Sequence, residues 1–226
     1  MSRMNERWVL IGSAPDADLS DIKSLTEKNI PVICADGGIK SAIAAGIKPD
    51  FFIGDSDSGD KPENVEGIIL PTEKDYTDLH TALLWAVEHG ARYIYIVGCT
   101  NGRADHYFAN VFLLEMLSER GVRGVIIDKQ NRIFYHAGGK ITVKCGDDSS
   151  ALREDEIRMP EGFKYVSILP LDSELSGVSL KGFKYPLDNQ TMKRSCPIGV
   201  SNELISESGE IYTSNGGALV IFSKDV

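Results

Sequence analysis

Ile47-Lys-Pro-Asp-Phe-Phe-Ile-Gly-Asp-Ser-Asp-Ser58 carries a short apolar run, Phe51 to Ile53, that breaks at Gly54 into carboxylates at Asp55 and Asp57. An apolar run bounded by Pro and Gly has the composition of a buried parallel strand. Two carboxylates at i and i+2 in the loop beyond it can converge on one hard cation, for which Mg2+ is the natural choice. Taken alone, the stretch reads more simply as a solvated turn, because Asp, Ser and Gly are ordinary turn formers. The placement of the other polar clusters decides between the two.

On the N-terminal side, Trp8 to Ala14 predicts a strand ending in a small-residue loop, with Asp16 or Asp18 capping a helix that carries Leu19, Ile22 and Leu25 on one face. Pro31 to Gly38 repeats the plan: a strand closes at Asp36-Gly37-Gly38 and a short helix, Ile39 to Ala45, stops at Gly46. On the C-terminal side, Val65 to Leu70 predicts a further strand. Leu79, Ala82, Leu83, Ala86 and Val87 then mark a helix that opens on Glu73-Lys-Asp-Tyr-Thr-Asp78. Arg92 to Val97 is a strand, Gly98 to His106 a polar loop, and Tyr107 to Arg120 a helix with Phe108, Val111, Phe112 and Met116 among its apolar positions; Val122 to Ile127 is one more strand.

Strands alternating with helices at this spacing imply an α/β domain with a doubly wound, mostly parallel sheet, in which ligands bind at the carboxyl ends of the strands. Gly12-Ser13, Asp36-Gly37, Asp55 to Asp57, Thr72 to Asp78 and Gly98 to His106 each follow a predicted strand. One edge of the sheet therefore collects nearly every residue of chemical interest. From about Arg132 the pattern changes to short alternating strands separated by Gly, Pro, Asp and Ser, which fits a C-terminal β-sandwich or flattened barrel. The expected organisation is a catalytic α/β domain over 1–131 and a β-sandwich over 132–226, with 147–156 as the mobile loop.

The chain has 226 residues, 42% of them hydrophobic and 25% charged, which is enough to build its own core. A formal charge of −9 with no Lys/Arg-rich block argues against nonspecific nucleic-acid binding. Cys34, Cys99, Cys145 and Cys196 form no C-x-x-C pair, and neither a leader nor a membrane-length apolar run is evident. A reduced, cytoplasmic, soluble protein is expected.

The predicted edge offers Asp55, Asp57, Asp75, Asp78 and Asp105, with Lys74, Arg103 and His106 as nearby cationic or titratable groups. Carboxylates without His or Cys ligands select a hard ion, and point to Mg2+ and a phosphate substrate. Arg103 suits a bidentate grip on phosphate oxygens and Lys74 a point-charge grip. Each also has a structural reading: Asp105 as N-cap of a helix from His106, Asp75 or Thr77 as cap of the helix from Asp78, Arg103 as a surface ion-pair partner. Neither a P-loop nor a dinucleotide fingerprint is present to supply the phosphate cradle.

Ala35-Asp-Gly-Gly38, Pro49-Asp50 followed by Gly54-Asp-Ser-Asp-Ser58, Lys74-Asp-Tyr-Thr-Asp78, Gly102-Arg-Ala-Asp-His106, Lys181-Gly-Phe-Lys-Tyr-Pro186 and Ser201-Asn-Glu203 resemble, in order, the motifs of the thiamine pyrophosphokinase family. The resemblance implies transfer of a pyrophosphoryl group from the co-substrate ATP to the thiamine hydroxyl, with Mg2+, by a homodimer whose thiamine site lies between subunits. It places Asp55, Asp57 and Asp78 at the metal and phosphates, with Asp75 and Asp105 nearby and Arg103 on the triphosphate. Gly12, Asp36, Gly37, Lys74, Thr77, Gly102 and His106 fall on the nucleotide side, and Ser201 and Asn202 on the thiamine side. No Trp stands near the C-terminus, which leaves Phe183, Tyr185 and Phe222 as candidate aromatic partners for the cationic thiamine ring. The alternatives are a pyrophosphokinase of the same build acting on another heterocyclic alcohol such as a pterin, and a thiamine or nucleotide sensor without turnover.

Overall fold

The computed structural model describes residues 6–26, 30–55, 63–146 and 155–225. The chain divides into two compact units, Met1–Lys129 and Gln130–Val226.

In the first unit, β1 (Arg7–Ile11), β2 (Val32–Ala35), β3 (Phe51–Gly54), β4 (Glu66–Ile69), β5 (Tyr93–Val97) and β6 (Arg123–Ile127) all pair parallel, in the order β6-β5-β1-β2-β3-β4. The helices are α1 (Lys23–Thr26), α2 (Gly38–Ala44), α3 (Asp78–Glu88) and α4 (Ala104–Glu119). β2 and β5 are buried along their whole length, as interior parallel strands covered on both faces must be. β4, at the edge, is exposed throughout. The chain builds outward from β1 to β4 and then returns to lay β5 on the other side of β1, so the order of the sheet reverses between β1 and β5. A crevice opens at such a reversal, beyond the strands' carboxyl ends.

Aromatic packing fixes α3 over this sheet. Trp85 stacks on Phe51 of β3 with ring centroids 4.1 Å apart, meets Trp8 of β1 edge-on at 5.8 Å, and is covered on its own helix by His89 at 3.7 Å. With α3 held by its C-terminal half, its N-terminus is brought to the end of β3.

Three local expectations are corrected. The segment after β1 forms a 3-10 turn, Ser20–Ile22, running into the single turn of α1, with Asp18 Oδ1 accepting from the Ser20 N–H at 2.9 Å. α4 starts at Ala104 with Arg103 in the N-cap position, so Asp105 sits inside the first turn, where its charge meets the positive end of the helix dipole, and is not the cap. On α4 the buried positions are Asn110, Val111, Leu114 and Leu117, whereas Phe108 and Phe112 are more than half exposed. The expected apolar stripe thus shares only Val111 with the buried face.

In the second unit, β7 (Asn131–His136), β10 (Tyr165–Pro170), β13 (Asn202–Glu203) and β15 (Ala218–Ser223) pair antiparallel in the order β13-β10-β15-β7. A second sheet, in the order β12-β11-β14-β8-β9, contains β8 (Gly139–Cys145), β9 (Glu156–Met159), β11 (Glu174–Lys181), β12 (Leu187–Lys193) and β14 (Ser208–Thr213). It is antiparallel except for the β8–β9 pair. Phe134, Ile168, Val220 and Phe222 from the first sheet and Leu175, Val178, Met192 and Ile211 from the second are buried. Gly199 lies where the two sheets approach: a Cβ there would stand 2.5 Å from both the Ile168 carbonyl oxygen and the Met192 methyl group.

β9, β12 and β13 were not expected. β12 exposes most of its length and buries only Met192, so it carries none of the alternation that marks a half-buried strand. Glu156, placed at the end of the expected loop, belongs to β9; its nearly buried carboxylate is held by Lys144 at 2.6 Å and Arg158 at 2.7 Å. The rest of that loop, 147–154, lies outside the described residues, as does Asp57.

Candidate active site

The carboxyl ends of β1 and β5 meet through glycines. The Gly12 N–H donates to Val97 O and the Ala14 N–H to Gly98 O, each at 2.8 Å. A Cβ on Gly12 would fall 2.6 Å from Gly98 O, so neither strand end tolerates a side chain at this approach. The loop after β5 then folds onto the loop after β1: Asn101 Nδ2 donates to Asp16 O at 3.3 Å, and Gly102, at φ +89°, packs against Pro15. Asn110, a buried polar residue that drew no notice in the sequence, anchors this loop to α4 by donating from Nδ2 to Cys99 O at 2.9 Å. Its only sequence signal is an amide on the helix face shared with Val111 and Leu114.

One step along the sheet, the ends of β2 and β3 and the start of α3 bring together Asp36, Asp55, Lys74 and Asp78. Lys74 Nζ lies 3.0 Å from Asp55 Oδ2 and 2.8 Å from Asp78 Oδ1, with all three side chains less than one-fifth exposed. Asp36 adopts a left-handed conformation, φ +47°, which costs a non-glycine residue about 1–2 kcal/mol. Its Oδ1 is buried without a hydrogen-bond partner among the described residues. Gly54 is required beneath it, since a Cβ there would stand 2.8 Å from the Asp36 Cα. The Asp-Gly step that read as a strand end is therefore also a close backbone approach.

Electrostatics follow from this crowding. Burial pushes the Asp78 carboxyl above its ordinary pKa; Lys74 opposes the rise, and the negative charges of Asp55 and Asp36 add to it. Burial works against the Lys74 ammonium too, yet its hydrogen bonds and ion pairs with Asp78 and Asp55 outweigh that and hold it above the usual lysine value. Lys74 thus sits between two carboxylates, and the charges of Asp55 and Asp36 both bear on Asp78.

The other expected residues fall elsewhere or serve differently. Asp75 is exposed, as is Tyr76, which packs against the His80 ring at 4.4 Å. Thr77 caps α3, its Oγ accepting from the His80 N–H at 3.2 Å, and Gly37 occupies the N-cap position of α2. Arg103 makes a two-pronged pair with Asp105, Nη2 to Oδ2 at 2.6 Å and Nε to Oδ1 at 3.1 Å, with both side chains exposed. That pair holds the Asp105 carboxyl down to about 2. His106 is exposed beside it, its N–H donating to Asp105 Oδ1.

In the second unit, Ser201 has φ +58° and its N–H donates to Ser167 Oγ at 3.0 Å. Asn202 is buried and its carboxamide is spent on backbone: Nδ2 donates to Tyr185 O at 2.8 Å, while Oδ1 accepts from the N–H groups of Tyr185 at 3.0 Å and Glu203 at 2.9 Å. It locks the main chain of Tyr185, a residue that is 60% exposed. Phe183 and Phe222 are buried, Phe222 against Phe134, which removes both as aromatic partners for a ligand and leaves Tyr185.

The carboxylates of Asp36, Asp55 and Asp78 are hard oxygen donors, and one Asp36 oxygen is buried without a partner among the described residues, so the residues fit a hard divalent cation such as Mg2+. Among the described residues no three His, Cys, Asp or Glu side chains converge closely enough to hold a metal by themselves, and Lys74 stands between Asp55 and Asp78.

A carboxylate-and-lysine cluster at the carboxyl edge of a parallel sheet, on a chain completed by a β-sandwich, defines an enzyme of the phosphoryl-handling kind. Comparison with known proteins gives the family. Residues 22–126 match the thiamin pyrophosphokinase catalytic domain and residues 154–217 the thiamin pyrophosphokinase vitamin B1 binding domain. The thiamine pyrophosphokinase of Bacillus subtilis is 31% identical over 223 residues, covering 96% of this chain and 98% of that protein. The crystal structure of the Bacillus subtilis protein superposes with a TM-score of 0.83 at 29% identity, over 97% of this chain and 99% of that one. That of Geobacillus thermodenitrificans thiamin pyrophosphokinase gives 0.80 at 32% identity, over 97% and 98%. The chain belongs to the thiamine pyrophosphokinase (thiamine diphosphokinase) family of enzymes.

Proposed function

We propose that the chain transfers the pyrophosphoryl group of ATP to the hydroxyl of thiamine, giving thiamine diphosphate and AMP, with Mg2+. The observation that carries this reading is the bridge from Asp55 through Lys74 to Asp78 at the carboxyl edge of the sheet, where the charge of Asp36 also bears on Asp78. Asp55 and Asp78, with Asp57, would hold the metal, which when bound offsets the negative charge that resists attack on the β-phosphorus. The protein's own part is positional. Asp55 and Asp78 fix where positive charge sits, Lys74 presents an ammonium beside it, and the close-packed Gly12 and Gly98 loops let phosphate oxygens approach main-chain N–H groups. Arg103 reaches the triphosphate by exchanging its carboxylate partner Asp105 for phosphate oxygens, a like-for-like replacement for a guanidinium. In the second unit Tyr185, held by Asn202, offers its ring to the cationic thiamine.

The ATP and Mg2+ site is assigned to the first unit and the thiamine site to the second, supported by the two family domains matched there. A cytoplasmic homodimer with thiamine between subunits completes the reading. Exposed Phe108 and Phe112 in one unit and Ile198, Val200 and Ile205 in the other supply apolar surface for such an interface. No helix among the described residues is long and apolar enough to cross a membrane.

The test is release of AMP from ATP by purified protein, with and without thiamine and with EDTA. AMP and thiamine diphosphate are expected together, only with thiamine and metal, and Asp55→Asn lowers kcat by about 10²-fold or more. Folded protein that binds ATP but releases no AMP with thiamine overturns the assignment, and Asp55→Asn activity within a few-fold of the parent overturns the role of the carboxylate.

A further inference from the structure

We infer that Lys74 is the resident counter-ion of the carboxylate site, held at the point where a divalent cation binds and released from it when the cation arrives. The inference rests on the metal site proposed above and concerns what fills that site in the metal-free protein.

The geometry is specific. Lys74 Nζ bridges two carboxylates that belong to different elements, Asp55 from the end of β3 and Asp78 from the first turn of α3, at 3.0 and 2.8 Å. Those two residues are also the described carboxylates best placed to hold a metal. A cation drawn to the same two carboxylates would stand close to the ammonium, whose like charge opposes it, so cation and lysine compete for the site. Without a cation of some kind, Asp36, Asp55 and Asp78 would repel one another in a poorly hydrated pocket; the lysine offsets part of that repulsion, and its flexible four-carbon stem lets it withdraw. An arginine would grip one carboxylate through two nitrogens and leave reluctantly. Once displaced, the ammonium remains within a few ångströms of the metal, where phosphate oxygens would arrive.

Metal and lysine therefore compete in the nucleotide-free protein. The experiment titrates Mn2+ into the nucleotide-free protein and reads bound ion by electron paramagnetic resonance, comparing the parent with Lys74→Met, which keeps the stem and removes the charge. Tighter Mn2+ binding by the variant, by about tenfold or more, is expected. Equal or weaker binding by a folded Lys74→Met overturns the inference. A second measurement needs no variant: reductive methylation of the parent protein, read at the Lys74 peptide by mass spectrometry. Methylation faster in saturating Mn2+ than in EDTA is expected, because the released ammonium loses its carboxylate partners; an unchanged or slower rate overturns the inference. Should neither protein bind Mn2+ at millimolar concentration, the metal site itself fails and the lysine's role falls with it. Mn2+ binding that is indifferent to Lys74 refutes the lysine's role alone.

Discussion

Replacing Asn202 by Ala removes a buried side chain whose three hydrogen bonds all go to main chain, two received from the N–H groups of Tyr185 and Glu203 and one given to Tyr185 O. A buried polar group left without a partner costs about 1–3 kcal/mol, and three groups lose theirs at once. Tyr185 and Glu203 lie near solvent, so water recovers part of the loss, and a net destabilisation of about 2–4 kcal/mol follows. For a chain of this length that lowers Tm by roughly 4–16 °C. Asn202→Asp separates the contributions: its carboxylate still accepts from both N–H groups but faces the Tyr185 carbonyl without a proton to give. It should therefore fall between the parent and the alanine variant. Urea unfolding of the three proteins measures the order, and thiamine KM measures the functional arm, because a loosened Tyr185 main chain no longer aims the ring. A loss below about 0.5 kcal/mol in Asn202→Ala, with thiamine KM unchanged, would refute both the anchoring role and its link to the ligand.

Two further predictions concern the first unit. The carboxyl carbon of Asp105, followed by NMR, should titrate near 2. Its folded pKa is depressed by Arg103, so the pair's contribution is fully present above the unfolded value of about 3.9 and is lost as pH falls through about 2. Both partners are exposed, so high salt should move the midpoint back up, and a midpoint near 3.8 at low salt would show that the pair does not form in solution. On α4, Phe112→Ser should change the stability of the isolated chain by less than about 0.5 kcal/mol, whereas Leu114→Ala, two residues on, should cost about 2–5 kcal/mol. Equal losses in chemical denaturation would mean that the buried face of the helix has been misassigned.

Much of the parallel sheet was legible because β1, β2, β3, β5 and β6 each announce themselves twice, by an apolar run and by the Gly or Asp that ends it. Phe51-Phe52-Ile53-Gly54 reads correctly as β3, and Thr77 and Gly90 bracket α3 closely. What was not legible has physical causes. β12 is an edge strand whose outward side chains are polar, and β13 is a two-residue pairing partner of β10, so neither imprints a period on the sequence. On α4 the bulky residues Phe108 and Phe112 mimic a core stripe at spacing i, i+4, while the face that packs includes Asn110, whose amide is satisfied by a loop carbonyl 11 residues earlier. Hydrophobicity alone ranks phenylalanine inside and asparagine outside; packing against a particular neighbour reverses both.

The start of α3 shows the same limit at the site. Lys74, Asp75, Tyr76, Thr77 and Asp78 are all polar or aromatic, and as a string they admit functional and capping readings side by side. The fold sorts them by direction. Thr77 turns onto the His80 N–H to cap the helix, so residues before it are not helical and share no face with those after it. Asp75 and Tyr76 point to solvent, and Lys74 and Asp78, four apart, turn inward to meet across the cap. Asp55 enters from a different strand and Asp36 from a third, the latter in a backbone conformation that L-residues avoid. Holding Asp36 at φ +47°, with one buried oxygen lacking a partner among the described residues, costs stability. A purely structural turn at this point would be better served by Asn or Gly, so the retained carboxylate argues that its negative charge is what the position supplies.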